Sequence, residues 1–130
     1  MNLQGHGVAV ITPFDEKGCI DFFALEKHLN KLISSNVDYL VILGTTSEIS
    51  TLSILEQIEI SEFTVRINNN RLPLVIGVGG NDTLSISHKL NKFKLSSFQS
   101  VLSVCPYYNS PSQIGLFEHF SQISTKCSIP

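Results

Sequence analysis

Two clusters of hydroxyl-bearing residues carry the clearest chemical potential of this chain. One is the threonine pair Thr45 and Thr46 inside "GTTSEIS" (44–50), and the other is the pair of adjacent phenols Tyr107 and Tyr108 inside "CPYYNSPSQIG" (105–115). Such groups can hold a small carboxylate through hydrogen bonds and pass protons over short distances, but they are poor at attacking an ester unaided. A serine hydrolase is excluded, because no G-x-S-x-G elbow is present and no histidine falls in the loops that follow the apolar runs. "GVGGND" (77–82) lacks the third glycine of a dinucleotide fingerprint and the lysine of a P-loop, so it reads as a tight glycine turn. His6, His28, His88 and His119 share no ligand spacing, and no metal is expected. Both clusters also have a blander reading: a threonine pair after a strand can simply cap the next helix, and adjacent tyrosines before a proline can anchor a loop.

The elements that must position these residues follow one rhythm. Short apolar runs with little polar alternation occur at "GVAVIT" (7–12), "DYLVIL" (38–43), "PLVIGV" (73–78) and "SVLSV" (100–104). Runs of this kind suit strands of a parallel sheet covered on both faces. Between them, apolar residues recur at helical spacing: Phe22, Leu25, Leu29, Leu32 and Ile33; Leu55, Ile58, Phe63 and Ile67; and Ile86, Leu90 and Phe93. A fourth stripe comprises Leu116, Phe117, Phe120 and Ile123. Asp21, Ser53 with Glu56 as a capping box, Asp82 or Thr83, and Ser112 mark the helix starts. The expectation is four βα units in one α/β domain over 1–130, with no linker dividing it. Two architectures fit: an open doubly wound sheet, complete at this length, or the first half of a TIM (β/α)8 barrel, which typically needs about 250 residues. In either, chemistry belongs where strands end, at the loops 12–18, 44–50, 79–82 and 105–115.

Composition narrows the partners. With 42% hydrophobic and 15% charged residues and a net charge of −2, the chain has no basic excess to attract nucleic acid. No apolar run approaches a membrane span and the first residues lack the features of a signal peptide, so a cytoplasmic protein is expected. Cys19, Cys105 and Cys127 are odd in number and far apart, which suits free thiols.

The residues also carry a resemblance. "GTTSE" (44–48) resembles the G-T-T-G-E motif, and "CPYYNSPSQIGLFEHF" (105–120) the T-P-Y-Y-N-x-P-S-Q-x-G-L-x-x-H-F motif, of the 4-hydroxy-tetrahydrodipicolinate synthase (dihydrodipicolinate synthase) family; "GHGVAVITPFDEKGCID" (5–21) is similar to its amino terminus. Sialic-acid lyases of the same superfamily usually carry G-S-T-G-E and a different tail after their tyrosines. The resemblance implies an eight-fold barrel, a homotetramer and no metal or organic cofactor. It also implies condensation of pyruvate with aspartate 4-semialdehyde in lysine biosynthesis, through a Schiff base on a lysine of the sixth strand. By motif, Thr45 and Tyr108 would belong to a proton relay, Tyr108 reaching into a neighbouring subunit. Thr46 would bind the pyruvate carboxylate, and Tyr107 and Asn81 would lie at an interface or regulatory site.

The departures from the family pattern are specific. The sequence stops at "KCSIP", where a fifth strand should begin, and none of Lys17, Lys27, Lys31, Lys89, Lys92, Lys94 and Lys126 stands where the Schiff-base lysine should. This chain alone is therefore expected to be inactive, and a non-catalytic half-barrel remnant or a fragment of a related pyruvate aldolase stays open. Ser47 replaces the second glycine of the first motif, which raises the question of how a side chain fits there. Ile54, Gln57 and Ser85 stand where lysine-inhibited members usually have histidine, histidine and glutamate, so weak or absent feedback by lysine is expected.

Overall fold

The computed structural model of the chain describes residues 3–130. Strands β1 (Gly7–Ala9), β2 (Tyr39–Ile42), β3 (Leu74–Gly77) and β4 (Ser100–Leu102) alternate with helices α1 (Phe22–Ile33), α2 (Ile54–Asn68), α3 (Thr83–Leu90) and α4 (Gln113–Lys126). All neighbouring strands pair in parallel, in the order β1-β2-β3-β4. A doubly wound sheet turns back on itself at a switch point. This one does not, and its sequential order is consistent with half of an α/β barrel.

Because every crossover moves the same way along the sheet and such crossovers are right-handed, the helices all cover one face. The register shows which side chains meet them. Val8, Leu40 and Leu74 share a rung, as do Ile42, Ile76 and Val101. Leu40, Leu74, Ile42 and Ile76 are buried and join Leu25, Leu29, Ile60, Ile86, Leu90 and Ile123 in one core. On the opposite face lie Ala9, Val41, Val75 and Leu102, where Leu102 is exposed, as are Ile11 and Val104 at the strand ends. One further main-chain bond touches the outer edge of β4: the Val101 N–H donates to the Pro130 carbonyl at 2.7 Å.

The helix starts have the expected chemistry. The Asp21 carboxylate accepts from the Ala24 N–H, the Ser112 hydroxyl from the Gly115 N–H, and Ser53 and Glu56 complete a capping box. The third helix departs from its pattern. Helix α3 stops at Leu90, so Phe93 reaches the core from the following turn and not from a helical stripe. The strands are also shorter than the apolar runs that contain them. β2 ends because Leu43, buried at the close of its run, turns into the left-handed region (φ 53). That turn brings the Leu43 carbonyl against the α-carbon of Gly77, so close that a β-carbon on residue 77 would overlap it.

Two predictions come from this packing. Gly77→Ala forces the end of β2 away from β3, and overpacking against main chain of this kind should cost at least about 2 kcal/mol; chemical denaturation showing a loss below about 0.5 kcal/mol would refute the close approach. On α1, burial and then the neighbouring Lys31 charge hold the His28 imidazole below its ordinary 6.5. The unfolded chain therefore takes up this proton first as pH falls through 6.5, and the stability present above that value drains away below it. Replacing His28 with glutamine should flatten the pH dependence of the unfolding midpoint in that window, and an unchanged slope contradicts this.

Candidate active site

At the carboxyl ends of β2, β3 and β4 the loops enclose a cavity of about 330 Å³. Its walls are built from Leu43, Gly44, Thr45, Ile49 and Ser50 on the β2 side, Gly77, Val78 and Gly79 on the β3 side, and Leu102, Val104 and Tyr107 on the β4 side. No lysine, arginine, histidine or carboxylate is among them. The cavity is therefore neutral, and a bound anion would meet only hydroxyls and main-chain N–H groups from these residues.

The threonine loop is shaped by its own hydrogen bonds. Thr45–Ser47 form a single 3-10 turn in which the Ser47 N–H donates to the Gly44 carbonyl (3.1 Å) and the Glu48 N–H to the Thr45 carbonyl (3.0 Å). Ser47 is buried, and its hydroxyl also donates to the Gly44 carbonyl at 2.7 Å. The left-handed residue is Glu48 (φ 56), so Ser47 keeps an ordinary backbone angle and the side chain costs the loop no strain. The buried Thr12 hydroxyl donates to the Ser47 carbonyl (2.8 Å) and ties the loop after β1 to the loop after β2. These contacts leave Thr45 and Thr46 exposed, and among the described residues neither hydroxyl is committed to another group.

The tyrosine loop is held from the neighbouring strand end. The Tyr107 N–H donates to the Asn81 side-chain oxygen (2.8 Å), and the Asn81 amide donates back to the Tyr107 carbonyl (3.0 Å). Tyr108 has a left-handed backbone (φ 70) and is 98% exposed. Of the residues singled out from sequence, the structure thus brings Thr45 and Tyr107 onto one cavity wall and joins Asn81 to Tyr107. Thr46 and Tyr108 do not line this cavity.

The side chains at the positions compared with lysine-inhibited relatives are engaged internally. Gln57 is buried and donates to the Leu52 carbonyl at 2.9 Å, Ile54 packs against the core, and the Ser85 hydroxyl donates to Asp82. Hydrogen bonds from the Ser85 side chain and then its main chain hold the Asp82 carboxyl below its ordinary 3.8. Sequence reasoning missed Thr12, whose role needs a contact across 35 residues, and it considered His119 only as a metal ligand without ligand spacing. His119 is in fact buried with Nδ1 2.7 Å from the Thr83 hydroxyl. The described residues contain no group of three His, Cys, Asp or Glu side chains placed to share a metal ion, and no helix among them is long and apolar enough to cross a membrane.

The family model of the dihydrodipicolinate synthetase family matches residues 2–130. The chain is 48% identical over 123 residues to the 4-hydroxy-tetrahydrodipicolinate synthase of Karelsulcia muelleri (strain GWSS), covering 95% of this chain and 42% of that protein. It is 40% identical over 130 residues to the synthase of the same name from Bacillus subtilis (strain 168), covering all of this chain and 45% of that one. Among solved structures, it superposes with a TM-score of 0.93 on the 4-hydroxy-tetrahydrodipicolinate synthase of Methylacidiphilum fumariolicum SolV, at 41% identity, covering 99% of this chain and 43% of that one. The chloride-inhibited, pyruvate-bound dihydrodipicolinate synthase from Acinetobacter baumannii gives a TM-score of 0.94 at 34% identity, covering 99% and 44%. The chain thus spans less than half the length of these relatives, and the part it matches is their amino-terminal half. It belongs to the dihydrodipicolinate synthetase family.

Proposed function

We propose that residues 1–130 are a single domain forming the first half of a TIM (β/α)8 barrel of a pyruvate-dependent synthase, which condenses pyruvate with aspartate 4-semialdehyde in lysine biosynthesis. The observation that carries this reading is the neutral cavity at the strand ends, with Thr45 and Tyr107 on its wall, in a chain matched by the family along nearly its whole length. The catalytic lysine of this proposal lies outside the chain, since Lys17 sits in the first loop and the other lysines are on or beside the helices. Its amine adds to the ketone carbon of pyruvate and water leaves, giving a protonated imine. Loss of a methyl proton yields an enamine, whose carbon attacks the aldehyde of the second substrate.

Each of these steps moves a proton, and hydroxyls in series can move protons without becoming charged themselves. We assign Thr45 and Tyr108 to that relay and Thr46 to the pyruvate carboxylate. The near-complete exposure of Tyr108 supports a role at a neighbouring subunit's site in a homotetramer, with Tyr107 and Asn81 beside that interface. No metal or organic cofactor enters this scheme, and a cytoplasmic location suits it. The internal engagement of Gln57 and Ser85 supports weak or absent inhibition by lysine. A second reading, a half-barrel without catalysis of its own, draws support from the apolar face left exposed at Ile11, Leu102 and Val104. A fragment of a related pyruvate aldolase would use the same cavity with a different second substrate.

Borohydride trapping tests where the nucleophile lies. Residues 1–130 incubated with pyruvate and borohydride should gain no covalent adduct, and an adduct mapped to any of their lysines would overturn the assignment of the nucleophile elsewhere. In an active enzyme that includes this chain, Thr45→Val should lower kcat by about 100-fold or more, the scale of one lost proton-transfer group. A variant retaining full turnover would remove Thr45 from the relay.

A further inference from the structure

The loop that presents Tyr107 and Tyr108 carries backbone strain that its own contacts do not explain. Tyr108 (φ 70) and Ser110 (φ 44) are both left-handed without being glycine. Such conformations persist only where the surroundings over-determine them. The Tyr108 ring is almost fully exposed and supplies no packing, so the hold has to act through the main chain of its neighbour. Asn81 provides it by bonding both the N–H and the carbonyl of Tyr107, 26 residues away.

Asn81 is itself an exposed loop residue and needs an anchor. The next two residues supply one. Asp82 fixes the start of α3 by accepting from the Leu84 and Ser85 N–H groups, and Thr83 meets Nδ1 of His119 on α4 at 2.7 Å, 36 residues away. Helix α4 begins at the end of the same tyrosine loop, so the two cross-links bracket that loop from both sides. The imidazole is an expensive choice for this position. Its Nε2 is buried with no partner among the described residues, whichever nitrogen carries the proton. An apolar ring of similar size would remove the unpaired Nε2, at the loss of the partner of the Thr83 hydroxyl. What the histidine adds is the bond to Thr83.

We propose that Asn81, Thr83 and His119 are positioning residues that hold the Tyr107–Tyr108 main chain in its strained form, through the Asn81 clamp and the Thr83–His119 brace behind it. The value of this device for catalysis rests on the relay role assigned to Tyr108 above; the clamp and brace stand on their own geometry.

Amide hydrogen exchange resolved by residue tests the device in this chain, with Ile76 in β3 as an internal standard for overall stability. Asn81→Ala should speed exchange at the Tyr107 N–H by about tenfold or more while Ile76 stays within about twofold of the wild type. Thr83→Val and His119→Phe, which keep shape but remove the bond, should speed Tyr107 by a smaller factor, and Thr83→Ser should restore it. Equal acceleration at Tyr107 and Ile76, or unchanged Tyr107 exchange in the valine and phenylalanine variants, overturns the proposal. In an active enzyme containing the chain, Thr83→Val should lower kcat with the KM for pyruvate unchanged. If exchange responds as expected but kcat does not, the positioning stands and the relay role of Tyr108 fails.

Discussion

The contact between the Leu43 carbonyl and Gly77 sets the geometry on which the candidate site depends. It is where two parallel strands approach too closely for any side chain, and it ends β2 two residues before Gly44. The main chain then turns through a left-handed residue and lays Thr45 on the cavity wall. A wider spacing would let β2 run on through its apolar residues and carry the threonines away from the strand ends. Chemistry at this edge therefore depends on an absence of side-chain volume, while the hydroxyls that would perform it sit beyond the core.

The cavity's neutrality gives it a particular electrostatic character. A carboxylate there would gain hydrogen bonds without a compensating cation from these residues, which limits the binding this half can supply. Hydroxyls have a corresponding advantage as proton carriers, since no neighbouring fixed charge holds the proton in one place. Thr45 and Thr46 stay uncommitted because the demands of their loop are met by Ser47 and Thr12. The division of labour is local: the buried hydroxyls of Thr12 and Ser47 satisfy a carbonyl each, and of the exposed pair Thr45 lies on the cavity wall.

Much of this was legible in the sequence. Unbroken apolar runs such as Leu74–Gly77 point to parallel strands because both faces of such a strand are buried, and the caps at Asp21, Ser53 and Ser112 declare helix starts within a single turn. The choice between a doubly wound sheet and a barrel was less accessible, since it rests on spatial strand order, which periodicity does not encode. Strand ends were also overextended. Leu43 belongs to its run by hydropathy, yet it turns left-handed in a space that only a residue without a side chain at position 77, on another strand, leaves open. Motif resemblance singled out Thr45, Thr46, Tyr107, Tyr108 and Asn81 as candidates, but the brace between Thr83 and His119 needed coordinates, because helical spacing treats a buried imidazole like any other packed ring.

The exposed Tyr108 side chain stands on a main chain fixed by its neighbour's two hydrogen bonds. That arrangement has a consequence for association. A surface that receives this ring has little backbone entropy to remove, and it needs to restrict only the side-chain torsions. The ordering cost is met within the folded chain before any encounter, so more of the contact energy is left to appear as affinity.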